Sequence, residues 1–212
     1  METILANKYS IGRLSGIVTI LESVRGHFEA QQEFGLENPS LSVCCNIAKR
    51  PSGKVCKCAV GALMSERALK AEKTSANAHD LSEETLGEIH DNVVWSCGGG
   101  VALEWAFHPP SIVNKFRQFL AAVQFVHDGF ASRMDGEKCN DDNTGEYAAL
   151  RLQQFLFAIR EVEHTLRDMI EHRYGPERAK GYRPDAVYVM GGSMKQRTET
   201  LFDAALVYSE AI

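Results

Sequence analysis

The chain has no apolar run of the roughly 18 residues that a membrane-spanning helix needs, so a helical membrane protein is excluded. Its opening segment, Met1 to Gly12, carries neither a basic stretch nor an unbroken apolar core of the secretory kind. A cytoplasmic location is therefore expected, with no membrane partner. Basic residues are in deficit: 23 Lys and Arg stand against 28 Asp and Glu, for a net charge of −5 and a pI near 5.8. No global field draws such a chain to nucleic acid or to an anionic membrane, although a local basic patch or imitation of nucleic acid stays open. Internal repeats and low-complexity tracts are also missing. In a reducing compartment stable disulfides are not expected, so the six cysteines are read as thiols or ligands.

What is there is an ordinary globular composition, 44% apolar and 24% charged over 212 residues. That is enough chain for one domain, 1–212, with a substantial core. Leu14, Ile17, Val18, Leu21, Val24 and Phe28 recur at three- and four-residue spacing, which predicts a helix from Ile11 to about Gln32. Leu41 to Ile47 reads as a short strand. Cys58 to about Lys73 reads as a helix, with Cys58, Ala62, Ser65 and Leu69 on one face. Ser82-Glu83-Glu84-Thr85 is a capped helix start. After Pro109-Pro110-Ser111, the stripe Ile112, Phe116, Phe119, Leu120, Val123, Val126 and Phe130 predicts a helix to about Met134. Asp135 to Thr144 reads as an exposed acidic loop. Ala148, Leu152, Phe155, Ile159, Val162, Leu166 and Met169 form a heptad-like seam on a helix from Gly145 to about Tyr174. That seam packs along a neighbouring helix or, alternatively, builds a homodimer. A last helix runs from Gly191-Gly192-Ser193 to Ile212. The expected fold class is mainly α, a bundle of about five or six helices with at most one or two short strands.

The stretch Cys44 to Glu66 holds four of the cysteines, Cys44, Cys45, Cys56 and Cys58. Read as the first residue of a helix, Cys58 would face unpaired backbone N–H groups and the positive end of the macrodipole, which lowers a thiol pKa. His127 points inward with the stripe of its helix, flanked by Gln124 and Asp128. Three readings of this neighbourhood stay open. One is a zinc site built from Cys45, Cys58 and His127, with Cys44, Cys56 or Asp128 as a fourth ligand. Another is a thiolate–imidazole pair, Cys58 with His127, oriented by Asp128 or Gln124. The plainest is a buried thiol among small residues beside a hydrogen-bonded core histidine.

Three segments occur in order: Cys45-Asn46-Ile47-Ala48-Lys49-Arg50 with Gly53, then Lys57-Cys58-Ala59-Val60-Gly61-Ala62-Leu63-Met64-Ser65-Glu66, then Phe119-Leu120-Ala121-Ala122-Val123-Gln124-Phe125-Val126-His127-Asp128. Together they resemble small phage and prophage proteins that carry a C-A-V-G-x-L run followed by an L-Q-x-x-H-D helix. The likeness covers about Val43 to Gly129, and residues 136–212 read as an extension beyond it. It implies a phage-type origin, hence a host-cell cytoplasm, and singles out Cys45, Arg50, Cys58, Gln124, His127 and Asp128. It implies no particular activity.

A second motif, His79-Asp80-Leu81-Ser82-Glu83, is similar to a segment of HD-type metal phosphohydrolases, with further His-Asp pairs at His90-Asp91 and His127-Asp128. That fold needs an upstream His, for which only His27 is placed, and a downstream Asp such as Asp168. A helix cap with acids at the positive dipole end is the simpler account. Val187 to Ser193 reads strand, glycine turn, helix, and its backbone N–H groups would suit an anion, though a plain turn explains it. Glu161, Glu163, Asp168 and Glu171 lie among arginines and read as a solvated helix face.

The reading favoured by the sequence is an accessory protein of phage type. It would act by binding a host or defence protein, or a small nucleotide-like ligand, with Arg50 and Gln124 as contacts at a Cys/His/Asp-centred site. The rival class is an enzyme, either a thiol hydrolase or transferase using Cys58, His127 and Asp128, or an HD-type phosphohydrolase.

Overall fold

The computed structural model describes residues 2–32, 36–38, 43–44, 47–49, 55–72, 80–94, 109–132, 144–171 and 192–210. Among them are six α-helices: α1 (Glu2–Gln31), α2 (Glu66–Ala71), α3 (Glu83–Val94), α4 (Pro110–Ser132), α5 (Thr144–Glu171) and α6 (Gly192–Ser209). The mainly-α bundle expected from the sequence is what the chain forms. Its extended segments are four, of two or three residues each: β1 (Leu36–Asn38) pairs antiparallel with β2 (Val43–Cys44), and β3 (Ile47–Lys49) with β4 (Val55–Lys57).

The four long helices make the core, and their pairings fix their directions. Arg25 of α1 reaches Glu163 of α5, while Glu22 reaches Arg167 further along, so α1 and α5 run antiparallel. Arg197 near the start of α6 lies on Phe125 near the end of α4, so that pair is antiparallel too. Arg13 of α1 donates to the Ser209 carbonyl of α6, which closes the ring. Consequently α1 and α4 run the same way, and their C-terminal ends meet the N-terminal ends of α5 and α6 at one end of the bundle. The heptad-like seam of α5 is spent inside the chain. Leu152, Phe155, Ile159, Val162, Leu166 and Met169 are buried, and α5 packs most closely on α1. A homodimer through that stripe would have to open the bundle, so the seam is intramolecular.

Local chemistry explains where helices begin and stop. At the end of α1, Gln32 takes a left-handed φ of 61°, which ends the helix as the Gln32 N–H donates to the Phe28 carbonyl. The helix expected to start at Cys58 starts eight residues later. Met64 and Ser65 are extended, and the Ser65 hydroxyl accepts the Ala68 N–H at 3.1 Å, making Ser65 the N-cap of α2. A residue cannot both continue a helix and cap one, so Cys58 to Met64 forms a turn with a short 3₁₀ piece at Gly61–Leu63. Ser82 caps α3 as its sequence signals, accepting the Thr85 N–H at 3.2 Å. Its hydroxyl also donates to Glu72 just past α2, at 2.6 Å. Burial pushes the Glu72 carboxyl up, but the hydrogen bonds from Ser82 and Thr85 prevail and hold it below its ordinary value.

Candidate functional site

The turn carrying Cys58 lies at the end of the bundle where α1 and α4 finish. Its backbone closes on itself: the Ala62 N–H donates to the Cys58 carbonyl at 2.8 Å and the Leu63 N–H to the Val60 carbonyl at 3.0 Å. The Gly61 N–H donates to Cys58 Sγ at 3.3 Å, and the thiol is buried. The helix-start environment expected for Cys58 is therefore replaced by a turn in which the Gly61 N–H faces the thiol.

Two glutamines hold this turn from opposite helices. Gln31 of α1 takes Lys57 by both backbone groups: its Oε1 accepts the Lys57 N–H at 2.7 Å, and its Nε2 donates to the Lys57 carbonyl at 3.0 Å. His27, one turn earlier, places Nε2 2.9 Å from Gln31 Oε1. Because that oxygen is an acceptor, the imidazole donates through Nε2–H. From α4, Gln124 Oε1 accepts the Val60 N–H at 3.2 Å across 64 positions of sequence. That bond brings the two motifs singled out by the sequence into one place.

The same glutamine organises the histidine beside it. With Oε1 committed to Val60, Gln124 Nε2 donates to Asp128 Oδ1 at 2.5 Å. Asp128 Oδ1 also lies 3.0 Å from His127 Nδ1. A carboxylate can only accept, so Nδ1 carries the proton and Nε2 is the basic nitrogen of the ring. The two donors, Gln124 Nε2 and His127 Nδ1, are 3.3 Å apart because they share one carboxylate. His127 itself has no exposed surface. Phe28 of α1 covers it at 5.3 Å between ring centroids and Phe155 of α5 stands edge-on at 5.8 Å. The Asp128 side chain, by contrast, is 40% exposed. The arrangement is thus a carboxylate-oriented imidazole under two aromatic rings, with its polar rim at Gln124 and Asp128 reaching the surface next to a thiol-bearing turn.

Of the residues expected here, Cys58, Gln124, His127 and Asp128 belong to this one neighbourhood. Cys45, Arg50 and His79 lie outside the described residues, as do Cys97, Cys139 and residues 186–191 of the proposed glycine turn. Cys44 and Cys56 are placed by backbone only, opposite Leu36 and Ala48 in their ladders. Among the described residues no three His, Cys, Asp or Glu side chains converge as metal ligands. The HD-type expectation finds no constellation among them either. His90 is buried against Phe116 and bonded to Asp91 at 3.1 Å, Asp80 is exposed, and Asp168 sits beside His164 at 3.6 Å. The carboxylates of α5 are not one solvated face: Glu163 is buried, and it accepts from Arg25 Nε at 3.0 Å. That bond, above all, holds the Arg25 pKa above its ordinary value.

Gln31 escaped the sequence reading, and His27 entered it only as an upstream His for the HD-type fold, although a signal existed. Leu21, Val24, Phe28 and Gln31 follow the same apolar stripe, and a polar residue on such a stripe marks a position where a buried hydrogen bond must be satisfied. Arg151 is a second such case, lying three residues after Ala148 and four before Phe155 on the α5 seam. It is buried and donates to the carbonyls of Gly129 and Phe130 at 3.0 and 3.2 Å, at the C-terminal end of α4 where a cation is favoured. On the outer side of α4 and α6 runs a shallow groove of about 500 Å³, with Ala121, Ala122 and Ala204 in it and exposed Phe125 and Val207 beside them. Arg197 lies over the Phe125 ring at 3.8 Å, in the space that Gly129 leaves by having no side chain.

No helix among the described residues is long and apolar enough to cross a membrane. Compared with protein-family models, with curated proteins and with solved structures, the chain matches none.

Proposed function

We propose that this chain is an accessory protein of phage type that works by binding. Its contact centre is the rim formed by the Cys58 turn with Gln124 and Asp128, and its target is a host or defence protein or a small nucleotide-like ligand. One observation supports this reading above the others. The polar constellation is assembled by the Val60–Gln124 bond from two distant segments, yet its imidazole is sealed beneath Phe28 and Phe155. A buried hydrogen-bonded network of this kind rigidifies a surface and presents a shaped edge, whereas catalysis needs the reacting nitrogen to reach substrate. Asp128, exposed and already oriented, is the acceptor such an edge would offer.

The test is a comparison of the wild-type chain with Asp128→Ala, after both are shown to fold alike by circular dichroism. Affinity capture from bacterial lysate and a thermal-shift panel of nucleosides and nucleotides should each be run on the pair. The expected result is one protein retained, or one nucleotide raising the melting temperature, with wild type only. If neither readout distinguishes the two proteins, the rim is not a binding edge.

The thiol-enzyme reading keeps one point in its favour: the Gly61 N–H on Cys58 Sγ would stabilise a thiolate. Peptide-mapped alkylation with iodoacetamide decides. Binding predicts that buried Cys58 is labelled more slowly than the other five thiols of the same chain. Fastest labelling at Cys58, lost in His127→Phe, would transfer the assignment to thiol chemistry.

A further inference from the structure

α1 reaches the strand leading into the Cys58 turn through Gln31. Gln31 makes two hydrogen bonds to Lys57, and His27 donates to the oxygen that receives the Lys57 N–H. Nδ1 is then the site where His27 takes up a proton as the pH falls. The resulting imidazolium is half-buried and is disfavoured by the positive charge of Lys57. Burial is the larger influence lowering the His27 pKa, the Gln31 bond opposes it, and the charge of Lys57 lowers it further. Lifting the turn from α1 removes Lys57 and lets water reach the ring.

Among the described residues, the other charges around α1 are engaged elsewhere. Glu163, Arg160 and Arg167 of α5 are engaged with Arg25, Glu29 and Glu22. Glu84 and Glu88 of α3 face Arg67, and Asp91 faces His90. On α4, His127 and Asp128 lie behind Phe28, whose ring touches both His27 and His127. Near the other end of α1, the contact with α6 is the bond from Arg13 to the Ser209 carbonyl.

We infer that His27 and Gln31 form an acid-sensitive latch on the Cys58 turn, which closes the turn against α1 at neutral pH and releases it, with its thiol, in mild acid. The open form binds the proton more readily than the closed one, so linkage drives opening as the pH falls. The turn then keeps its bond to Gln124. The consequence for ligand binding rests on the turn being part of the contact rim. The latch itself is tested on the protein with no ligand present, so the two readings fail separately.

The experiment is amide hydrogen exchange at pH 7.5 and 5.5, each rate divided by the intrinsic rate at that pH. It is read at the Lys57 and Gly61 amides, with α4 amides as reference. Protection of the two turn amides in wild type should fall about threefold or more at pH 5.5 while the α4 amides keep theirs, the pattern of local opening. His27→Gln should flatten the dependence, and Gln31→Ala should leave the turn open at both values. Lys57→Met, which removes the positive charge without touching the backbone clasp, should weaken the dependence and serves if His27→Gln does not fold. Equal wild-type protection at the two pH values overturns the latch, as does an unchanged fall in a folded His27→Gln, or in Lys57→Met where His27→Gln does not fold. A parallel loss in the α4 amides, which is global unfolding, overturns it as well.

Discussion

Gln124 is asked to satisfy two strangers at once, the Val60 N–H on its oxygen and the Asp128 carboxylate on its nitrogen. Replacing it by Leu keeps the volume and removes both, leaving Val60 with no acceptor from this side. The expected cost is about 1–3 kcal/mol, read as a fall of several degrees in melting temperature by calorimetry. Arg151→Ala should cost about as much or more, because two buried partners, the Gly129 and Phe130 carbonyls, and the half-buried Gln154 lose a charged donor together. Arg151→Met, which keeps an apolar stem but loses the guanidinium that lies over the Phe130 ring, should recover part of that loss and so separate stem packing from the contacts of the charged group. His27 sets a pH dependence whose sign follows from its lowered pKa. Between the folded-state value and the ordinary 6.5, the unfolded chain holds more protons than the folded one. Stability is full above about pH 6.5 and declines as the pH falls through that window, levelling below it. Chemical denaturation in wild type and His27→Gln should show this decline in the first protein and a shallower one in the second.

Among the elements, the long helices were legible and the junctions were not. The stripes of α1, α4 and α5 name buried residues almost without error, since a 3.6-residue period over six turns leaves few other ways to hide apolar surface. Cys58 to Ala71 shows where period fails. Its apolar run fits a helix, but Ser65 followed by Glu66 is also a cap signal, and the cap prevails because Met64 turns extended there. Ser65→Ala should therefore weaken α2 by about 1 kcal/mol. The loss should show as faster amide exchange in α2 with the four long helices unaffected. The inward aim of His127 was readable from its place on the α4 stripe, whereas its fixed tautomer was not, because that depends on where the Gln124 amide points. The clasp by Gln31 lies beyond any local rule, for it joins the last turn of one helix to the backbone of a strand 26 positions away.

For the molecule as a whole, the ring of α1, α5, α4 and α6 gathers two helix C-terminal ends and two N-terminal ends around the candidate site. Along the α1–α5 side an alternating series, Glu22, Arg167, Glu163, Arg25, Glu29 and Arg160, ties the two helices in antiparallel register. The exposed members of that series carry little stability, and the buried Glu163 carries most of its specificity. The proposed phage-type origin rests on a likeness alone, and the target was not legible, since a site that worked by shape would leave no spacing rule in the chain.

Because Gln31 and Gln124 grip the same few residues from either side, their contributions cannot be independent. Removing one frees a segment that the other then restrains alone, so the second loss should be cheaper than the first. A thermodynamic cycle of Gln31→Ala, Gln124→Ala and the double variant should give a coupling of about 0.5–3 kcal/mol rather than simple addition. A sum matching the two single losses would mean that the helices grip different things.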